Sequence, residues 1–273
     1  MERALVVGIL NLTPDSFWDG GRVHGVEAAL AAARAMVASG AGMIDVGGES
    51  TRPGAGEVPP GEEMSRILPF IEAAAESLGV PISVDTRKAV VARAALDAGA
   101  AVINDVSGLA HDPSMAGVVA GSGAGVVIMH MRGTPETMAG LTDYGHPGAD
   151  VARELRGAVE RALAAGVDPA AVVVDPGLGF AKTPEQTLAL LGDLSTVTAL
   201  GYPVLVGPSR KSFIGRVAGV DPGDRLPGTI AACVMAYLEG ARIFRVHDVD
   251  PVVQALAVAR AAGESRTNRS GAA

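Results

Sequence analysis

The chain has 273 residues, 48% of them hydrophobic but only 3% aromatic, which is enough for one large core built from Val, Leu, Ile and Ala. A formal net charge of -8 and the lack of any Lys/Arg run argue against a nucleic-acid partner, and no uncharged apolar stretch reaches membrane-spanning length. Cys233, the only cysteine, cannot form an internal disulfide, so a reducing compartment and a cytoplasmic protein are predicted.

Segments typical of strands and helices alternate along the whole chain. Short runs rich in Val and Ile predict eight buried strands, at 4–10, 42–46, 81–85, 101–105, 125–130, 171–175, 203–207 and 242–247. Helices are predicted between them, at 26–39, 62–78, 88–98, 148–165, from the N-cap Thr183 onward, 226–240 and 250–262.

Eight strands with helical crossovers predict an α/β fold, a single (β/α)8 TIM barrel over 1–263. The polar residues 264–273 predict a disordered tail. A doubly wound open sheet is the main alternative. The barrel is favoured because polar residues follow strands along the whole chain and not at one switch point. An active site is therefore expected at the C-terminal rim of the strands.

The two longest loops, 11–24 and 47–61, follow the first two strands and are rich in Gly, Pro and Thr. Loops of this length at such a rim are typical of lids or binding loops. Asn11, at the end of the first strand, offers a neutral oxygen ligand for a Mg2+ that is otherwise held by water and phosphate. Arg52, in the second loop, could bind a phosphate or carboxylate.

Several later strands end abruptly in polar side chains. Asp85, Asn104 and Asp175 each close an apolar run, and acceptors gathered at one rim suit a flat, donor-rich heterocycle such as a pterin or guanine-like ring. Each of them could instead cap a helix or pair with an arginine such as Arg87, but this is a weaker explanation for all three together. His130 ends the fifth strand and could also line the site.

A basic segment, 207–212, follows the seventh strand, where TIM barrels often bind phosphate. Lys211 is one of only three lysines, which suggests a specific requirement at this position. At the end of the eighth strand, Arg245 and His247 lie on the same side by alternation and could clamp a pyrophosphate, unless Asp248 simply neutralises them.

These segments resemble the dihydropteroate synthase family. The resemblance rests on motifs at 9–17, 19–21, 47–55, 175–180, 209–212 and 245–248, which occur in the family's order and span nearly the whole chain. The family consists of transferases of folate biosynthesis, which are sulfonamide targets. They join 6-hydroxymethyl-7,8-dihydropterin diphosphate to p-aminobenzoate, giving 7,8-dihydropteroate and diphosphate. The resemblance therefore implies this activity, a Mg2+ cofactor and a homodimer.

The resemblance also implies roles for individual residues. It implies that the pterin is held by Asp85, Asn104, Met129, Asp175, Gly207 and Lys211. It implies that the diphosphate is bound by Asn11, Arg52, Arg245 and His247, with Asn11 as the metal ligand. It implies that p-aminobenzoate is framed by Phe17, Thr51, Pro53, Phe180 and Ser209. The catalytic residues are then Asp85, Lys211, Arg245 and His247.

An arylamine is a poor nucleophile, and the sequence offers no strong general base for it. A dissociative, SN1-like route is therefore the hypothesis: the diphosphate leaves first, and Asp85 stabilises the cation at the pterin methylene. The alternatives are a pterin-binding methyltransferase domain that acts on methyltetrahydrofolate and a non-catalytic pterin-binding module. Neither needs the diphosphate clamp or the second loop, and both features are present.

Overall fold

The computed structural model describes residues 3–13, 22–52 and 54–270. Within them, eight parallel strands form one sheet in the order β6-β5-β4-β3-β2-β1-β8-β7. The strands are β1 (Leu5–Asn11), β2 (Met43–Gly47), β3 (Ile82–Asp85), β4 (Val102–Asp105), β5 (Gly125–Met129), β6 (Val172–Asp175), β7 (Leu205–Val206) and β8 (Ile243–Val246). A parallel bridge between Val174 and Val204 joins β6 to the start of β7. The barrel prediction is thus confirmed.

Helices connect the strands on the outside of the barrel. The α-helices of the described residues are α1 (Arg22–Ala38), α2 (Pro60–Ser77), α3 (Ala89–Asp97), α4 (Met115–Ser122), α5 (Pro147–Ala164), α6 (Pro184–Gly192), α7 (Ser195–Thr198), α8 (Ser212–Ala218), α9 (Leu226–Leu238) and α10 (Val249–Ser270). Thr183 caps α6 with a complete capping box, as its sequence predicts. None of the described helices combines the length and apolar character needed to cross a bilayer.

Several helices differ from the sequence analysis, among them the short α7 and α8, which were not predicted. No helix was predicted at α4, whose sequence MAGVVAGS lacks a polar face and therefore gives no helical period. The last helix was predicted to end at 262, with a disordered tail from 264, but α10 continues to Ser270. Its last turns contain no proline, and Arg260 lies 3.9 Å from Glu264 one turn later, so nothing in the sequence stops the helix.

Side chains along each strand alternate between two environments, and only one of the two can hold an active site. Ile44, Val84, Ile103, Val126 and Val174 are almost fully buried in the main hydrophobic core. Because side chains alternate along a strand, the residues next to them point to the other face of the sheet, which is the barrel interior. That interior face carries the polar residues at the strand ends.

Candidate active site

The register of the strands places the polar strand ends on one face. Asn11 is paired with Gly47, Gly47 with Asp85, and Asp85 with Asn104, so these four positions form a row across β1 to β4. Paired residues of neighbouring parallel strands point to the same side. Asp45 lies two residues before Gly47 and therefore shares this face.

The same face continues on the remaining strands. Met129 is paired with Asp175 at the ends of β5 and β6. Gly207 follows β7, and a Cβ built on it would lie 3.9 Å from the Cβ of Arg245. The inward face of the rim therefore collects residues from every part of the chain, as the sequence analysis expected.

An arginine joined to two carboxylates lies at the centre of this face. Nε of Arg245 donates to Oδ2 of Asp45 at 2.6 Å, and Nη2 donates to Oδ2 of Asp85 at 2.9 Å. The amide of Asn104 lies 3.3 Å from Oδ2 of Asp45. Asp45 and Asp85 are only 1% and 6% exposed, so these contacts form with little water present. Oδ1 of Asp85 is buried and has no hydrogen-bond partner among the described residues.

Burial and charge shift the pKa values of this group. Burial raises the pKa of Asp85 to about 7, against the attraction of Arg245, and the neighbouring charge of Asp45 adds to the increase. Burial alone would lower the pKa of Arg245, but the carboxylates of Asp45 and Asp85 raise it above its ordinary value. The guanidinium therefore stays charged, while Asp85 can gain or lose a proton near neutral pH.

Lys211 and Asp175 form a second polar group beside the first. Oδ1 of Asp175 accepts a 2.7 Å hydrogen bond from the backbone of Gly177, and Nζ of Lys211 donates to the carbonyl of Leu178. Nζ of Lys211 also lies 4.1 Å from the centre of the Phe180 ring, a cation–π contact. Burial lowers the pKa of Lys211 to about 8, and the carboxylates of Asp175 and Asp85 oppose this shift. The charge of Lys211 thus interacts with the carboxylates of both Asp175 and Asp85.

His247 forms a hydrogen bond with a serine, and Asp248, the acidic residue that follows it, pairs with an arginine. Nδ1 of His247 lies 2.9 Å from Oγ of Ser209. Asp248 forms two hydrogen bonds with Arg210, at 2.9 and 2.6 Å, so its hydrogen-bond partner is Arg210 and not Arg245 or His247. Burial, together with the charge of Arg245, lowers the pKa of His247 to about 4. His247 is therefore neutral at pH 7 and can offer a hydrogen bond but no charge.

A buried ionic network anchors the second loop. Glu49 accepts hydrogen bonds from Arg87 at 2.8 and 3.1 Å and from Lys88, and its Oε2 also accepts the backbone N–H of Val58 at 2.9 Å. Lys88 donates further to the Val58 carbonyl and to Glu63, each at 2.7 Å. Arg87 is thus occupied in this network. The network pins both ends of the loop, and in its middle the backbone N–H of Gly54 donates to the carbonyl of Pro135 at 3.0 Å.

The middle of this loop carries two predicted site residues. Thr51 is half-buried and Arg52 is exposed. The charge of Arg52 contributes to the low pKa of His247, which places the two residues within electrostatic reach of each other. Pro53 and Phe17 were predicted to frame p-aminobenzoate, but both lie outside the described residues.

Sequence reasoning missed Asp45 and Lys182. Asp45 is a lone carboxylate inside the apolar run Met43–Gly47, and a charge buried in a strand requires a partner, which was the available signal. Lys182 was noted only as one of the three lysines. It is 8% exposed, and its Nζ lies 3.0 Å from Nδ1 of His130, so both residues are buried next to the mouth.

The chain is similar to known proteins over almost its whole length. Residues 7–247 match the family model described as pterin binding enzyme. A dihydropteroate synthase from Synechocystis sp. is 48% identical over 261 residues, which cover 95% of this chain and 90% of that protein.

Two solved structures share the fold. The Yersinia pestis dihydropteroate synthase in complex with a sulfonamide drug has a TM-score of 0.90 and 42% identity, covering 96% of this chain and 95% of that chain. The Xanthomonas albilineans enzyme in complex with 7,8-dihydropteroate has a TM-score of 0.87 and 40% identity, covering 96% and 94%.

Proposed function

This chain belongs to the dihydropteroate synthase family, and on that basis we propose how its barrel mouth carries out the transferase reaction of folate biosynthesis. The substrates are 6-hydroxymethyl-7,8-dihydropterin diphosphate and p-aminobenzoate, and the products are 7,8-dihydropteroate and diphosphate. One observation carries the proposal: at the barrel mouth Arg245 forms hydrogen bonds of 2.6 and 2.9 Å with the buried carboxylates of Asp45 and Asp85. Acidic acceptors for a pterin thus adjoin cations for a departing anion.

The pterin binds in the acidic half of the mouth. The ring presents several N–H donors, and buried acceptors at Asp85, Asn104 and Asp175 match them in type. The unpaired Oδ1 of Asp85 supports this assignment, because an acceptor that is buried without a partner is costly unless a ligand satisfies it. Met129 and Gly207 lie on the same face and would border the ring.

The diphosphate binds in the basic half. Arg245 uses Nε and Nη2 for Asp45 and Asp85, which leaves Nη1 without a hydrogen bond to the described residues and available to the anion. The uncharged imidazole of His247 contributes a hydrogen bond to the diphosphate, and Arg52, on the second loop, contributes a positive charge.

Asn11 fits a magnesium site in which the protein supplies a single ligand. Its carboxamide is partly exposed at the rim and has no hydrogen-bond partner among the described residues, so its oxygen is free to coordinate. The described residues contain no group of three His, Cys, Asp or Glu side chains arranged around a metal. The remaining ligands would therefore be water and substrate phosphates, as Mg2+ accepts readily. Bound there, Mg2+ would neutralise charge on the diphosphate.

The reaction proceeds by a dissociative route. As the methylene–oxygen bond breaks, positive charge develops on the methylene and negative charge on the diphosphate, and Asp85 and Arg245 stabilise these two charges respectively. A carboxylate about 4 Å from a full positive charge contributes about 4 kcal/mol at an effective dielectric constant of about 20, or about a thousandfold in rate. The amine of p-aminobenzoate then attacks the cation through its nitrogen lone pair, forming the carbon–nitrogen bond, and the resulting ammonium loses one proton to the released diphosphate or to water.

The p-aminobenzoate site is completed after the pterin has bound. Phe180 lies next to Lys211, Ser209 lies next to His247, and Thr51 lies on the second loop, with Phe17 and Pro53 predicted to close the site. Closure of the two loops would exclude water, which would otherwise capture the cation.

The protein acts as a cytoplasmic homodimer. Met235 and Leu238 of α9 and Val258 of α10 are 49%, 54% and 71% exposed, and α9 and α10 pack against each other. Apolar side chains exposed together on paired helices are typical of an interface. The single thiol, Cys233, is buried and unpaired, which suits a reducing compartment.

One assay tests the proposed function. The protein is incubated with both substrates and Mg2+, and released diphosphate is measured together with dihydropteroate. The proposal expects equal amounts of the two products and no dihydropteroate without p-aminobenzoate. A protein that binds the pterin but releases no diphosphate would be a non-catalytic pterin-binding module instead.

A further inference from the structure

Lys182 is a buried lysine whose Nζ forms three hydrogen bonds. Its Nζ donates to the carbonyls of Gly177 and Phe180 at 3.0 and 2.9 Å, and it lies 3.0 Å from Nδ1 of His130. The carboxylate of Glu154 can only accept from Nε2 of His130, so Nδ1 of the neutral ring carries no proton and accepts the third bond from Lys182.

These two contacts fix the tautomer of His130. With Nδ1 accepting, the ring proton of the neutral imidazole lies on Nε2, which is 2.9 Å from Oε2 of Glu154. Burial lowers the pKa of His130 to about 4, so the neutral form is the one present at pH 7. A continuous chain of hydrogen bonds therefore runs from Glu154 on α5 through His130 to Lys182 and the loop after β6.

The loop after β6, residues 176–181, has a strained backbone that must be stabilised by contacts with other segments. Gly177, Gly179 and Ala181 have φ values of 65°, 78° and 48°, and Ala181 is not a glycine. A non-glycine residue in the left-handed region is strained and persists only when its surroundings hold it. A Cβ on Gly177 would lie 2.0 Å from the carbonyl oxygen of His130, so the loop also packs tightly on the end of β5.

The same loop supports the candidate active site. The carbonyl of Leu178 accepts from Lys211, and the ring of Phe180 lies against the same ammonium group. Lys182 holds the carbonyls on either side of these contacts. We propose that Lys182, held by His130 and Glu154, is a positioning residue that sets Lys211 for the pterin substrate and Phe180 for p-aminobenzoate, an inference that rests on the function proposed above.

Lys88 offers a matched comparison. It is equally buried and also uses three hydrogen bonds, but these hold the second loop through Glu49, Val58 and Glu63. Removing the ammonium of Lys88 should therefore disturb the p-aminobenzoate side and leave the loop after β6 unchanged.

The experiment compares Lys182→Met with Lys88→Met, and His130→Leu with His130→Gln. Glutamine can accept from Lys182 and donate to Glu154, whereas leucine can do neither. Hydrogen–deuterium exchange of 176–181 and calorimetric binding of the pterin diphosphate are measured on each full-length protein, together with kcat and KM. Lys182→Met and His130→Leu should accelerate exchange in this loop and raise the KM and Kd for the pterin diphosphate about tenfold, the equivalent of about 1.4 kcal/mol.

The fall in kcat should be smaller, because Lys211 is misplaced but still present. His130→Gln should remain close to the native protein, and Lys88→Met should keep native exchange in 176–181. The proposal is overturned if loop exchange and pterin affinity in Lys182→Met stay native, or if His130→Leu and His130→Gln behave alike. If Lys182→Met does not fold, the comparison of His130→Leu with His130→Gln tests the proposal. Absence of turnover in the native protein would reject the proposed function alone, since loop exchange is read without substrate.

Discussion

Arg245 and Asp85 lie 160 positions apart in the chain, yet Nη2 of Arg245 donates a 2.9 Å hydrogen bond to Oδ2 of Asp85. The cation assigned to the leaving diphosphate is therefore oriented by the carboxylate assigned to the methylene cation. The two opposite charges that form in a dissociative reaction each have a counter-charge at this mouth before substrate binds. Such preorganisation lowers the barrier because little rearrangement is needed in the transition state.

Asp85→Asn tests the role of this carboxylate. The amide keeps the shape of the side chain but removes its charge and one of its two acceptors, so kcat should fall by up to about a thousandfold while the affinity for the pterin diphosphate falls much less. Single-turnover kinetics and calorimetry measure the two effects. Asp248→Asn is the control, because Asp248 pairs with Arg210 at the same rim, and its effect should be small. Equal losses of rate and binding in Asp85→Asn would contradict the role in stabilising the cation.

The stability of the protein should show the raised pKa of Asp85. The carboxyl loses its proton near pH 3.8 in the unfolded chain but near pH 7 in the folded protein. Between these values the folded state binds more protons, so the contribution of Asp85 to the free energy of unfolding decreases as the pH rises from about 4 to 7. Denaturant unfolding of native protein and Asp85→Asn should show the variant gaining relative stability over this range. A constant difference would mean that the pKa is not raised.

Replacing residues 51–56 by a short glycine linker should abolish binding of one substrate and preserve binding of the other. Glu49 and Val58 remain, so the buried anchor of the loop is kept, while Thr51 and Arg52 are lost. Calorimetry should then show no binding of p-aminobenzoate but continued binding of the pterin. Glu57→Ala, in the same loop but outside the replaced stretch, should bind both substrates. Retained p-aminobenzoate binding in the shortened protein would exclude the loop from that site.

Asn11→Ala should raise the Mg2+ concentration needed for half-maximal activity. The variant loses the only protein oxygen that we assign to the ion, whereas Asn11→Asp keeps an oxygen ligand and serves as the control. Rates are measured over a range of Mg2+ concentrations at saturating substrates. An unchanged Mg2+ requirement in Asn11→Ala would remove Asn11 from the metal site.

The fold and part of the site could be predicted because their signals are local. Asp85, Asn104 and Asp175 each follow an apolar run directly, and parallel strands bring their ends together. Asp45 and Lys182 could not be assigned this way, since their meaning depends on partners that are distant in sequence. Arg245 lies 200 positions from Asp45, and His130 lies 52 positions from Lys182.

Alternation of side chains along β8 could not predict the counter-ions of Arg245. Asp248 was considered as a counter-ion for Arg245 and His247, but it pairs with Arg210. The counter-ions of Arg245 come instead from β2 and β3, and only the closed barrel brings those strands close to the end of β8.

The most direct test of the dissociative route is the secondary isotope effect of two deuterium atoms at the pterin methylene, measured in single turnovers of the native protein. If the carbon–oxygen bond breaks before the amine attacks, the methylene becomes planar, and the rate with the deuterated substrate should be clearly lower than with the ordinary one. Equal rates under conditions where bond cleavage limits turnover would mean that the amine attacks as the diphosphate leaves, and no free cation would need Asp85.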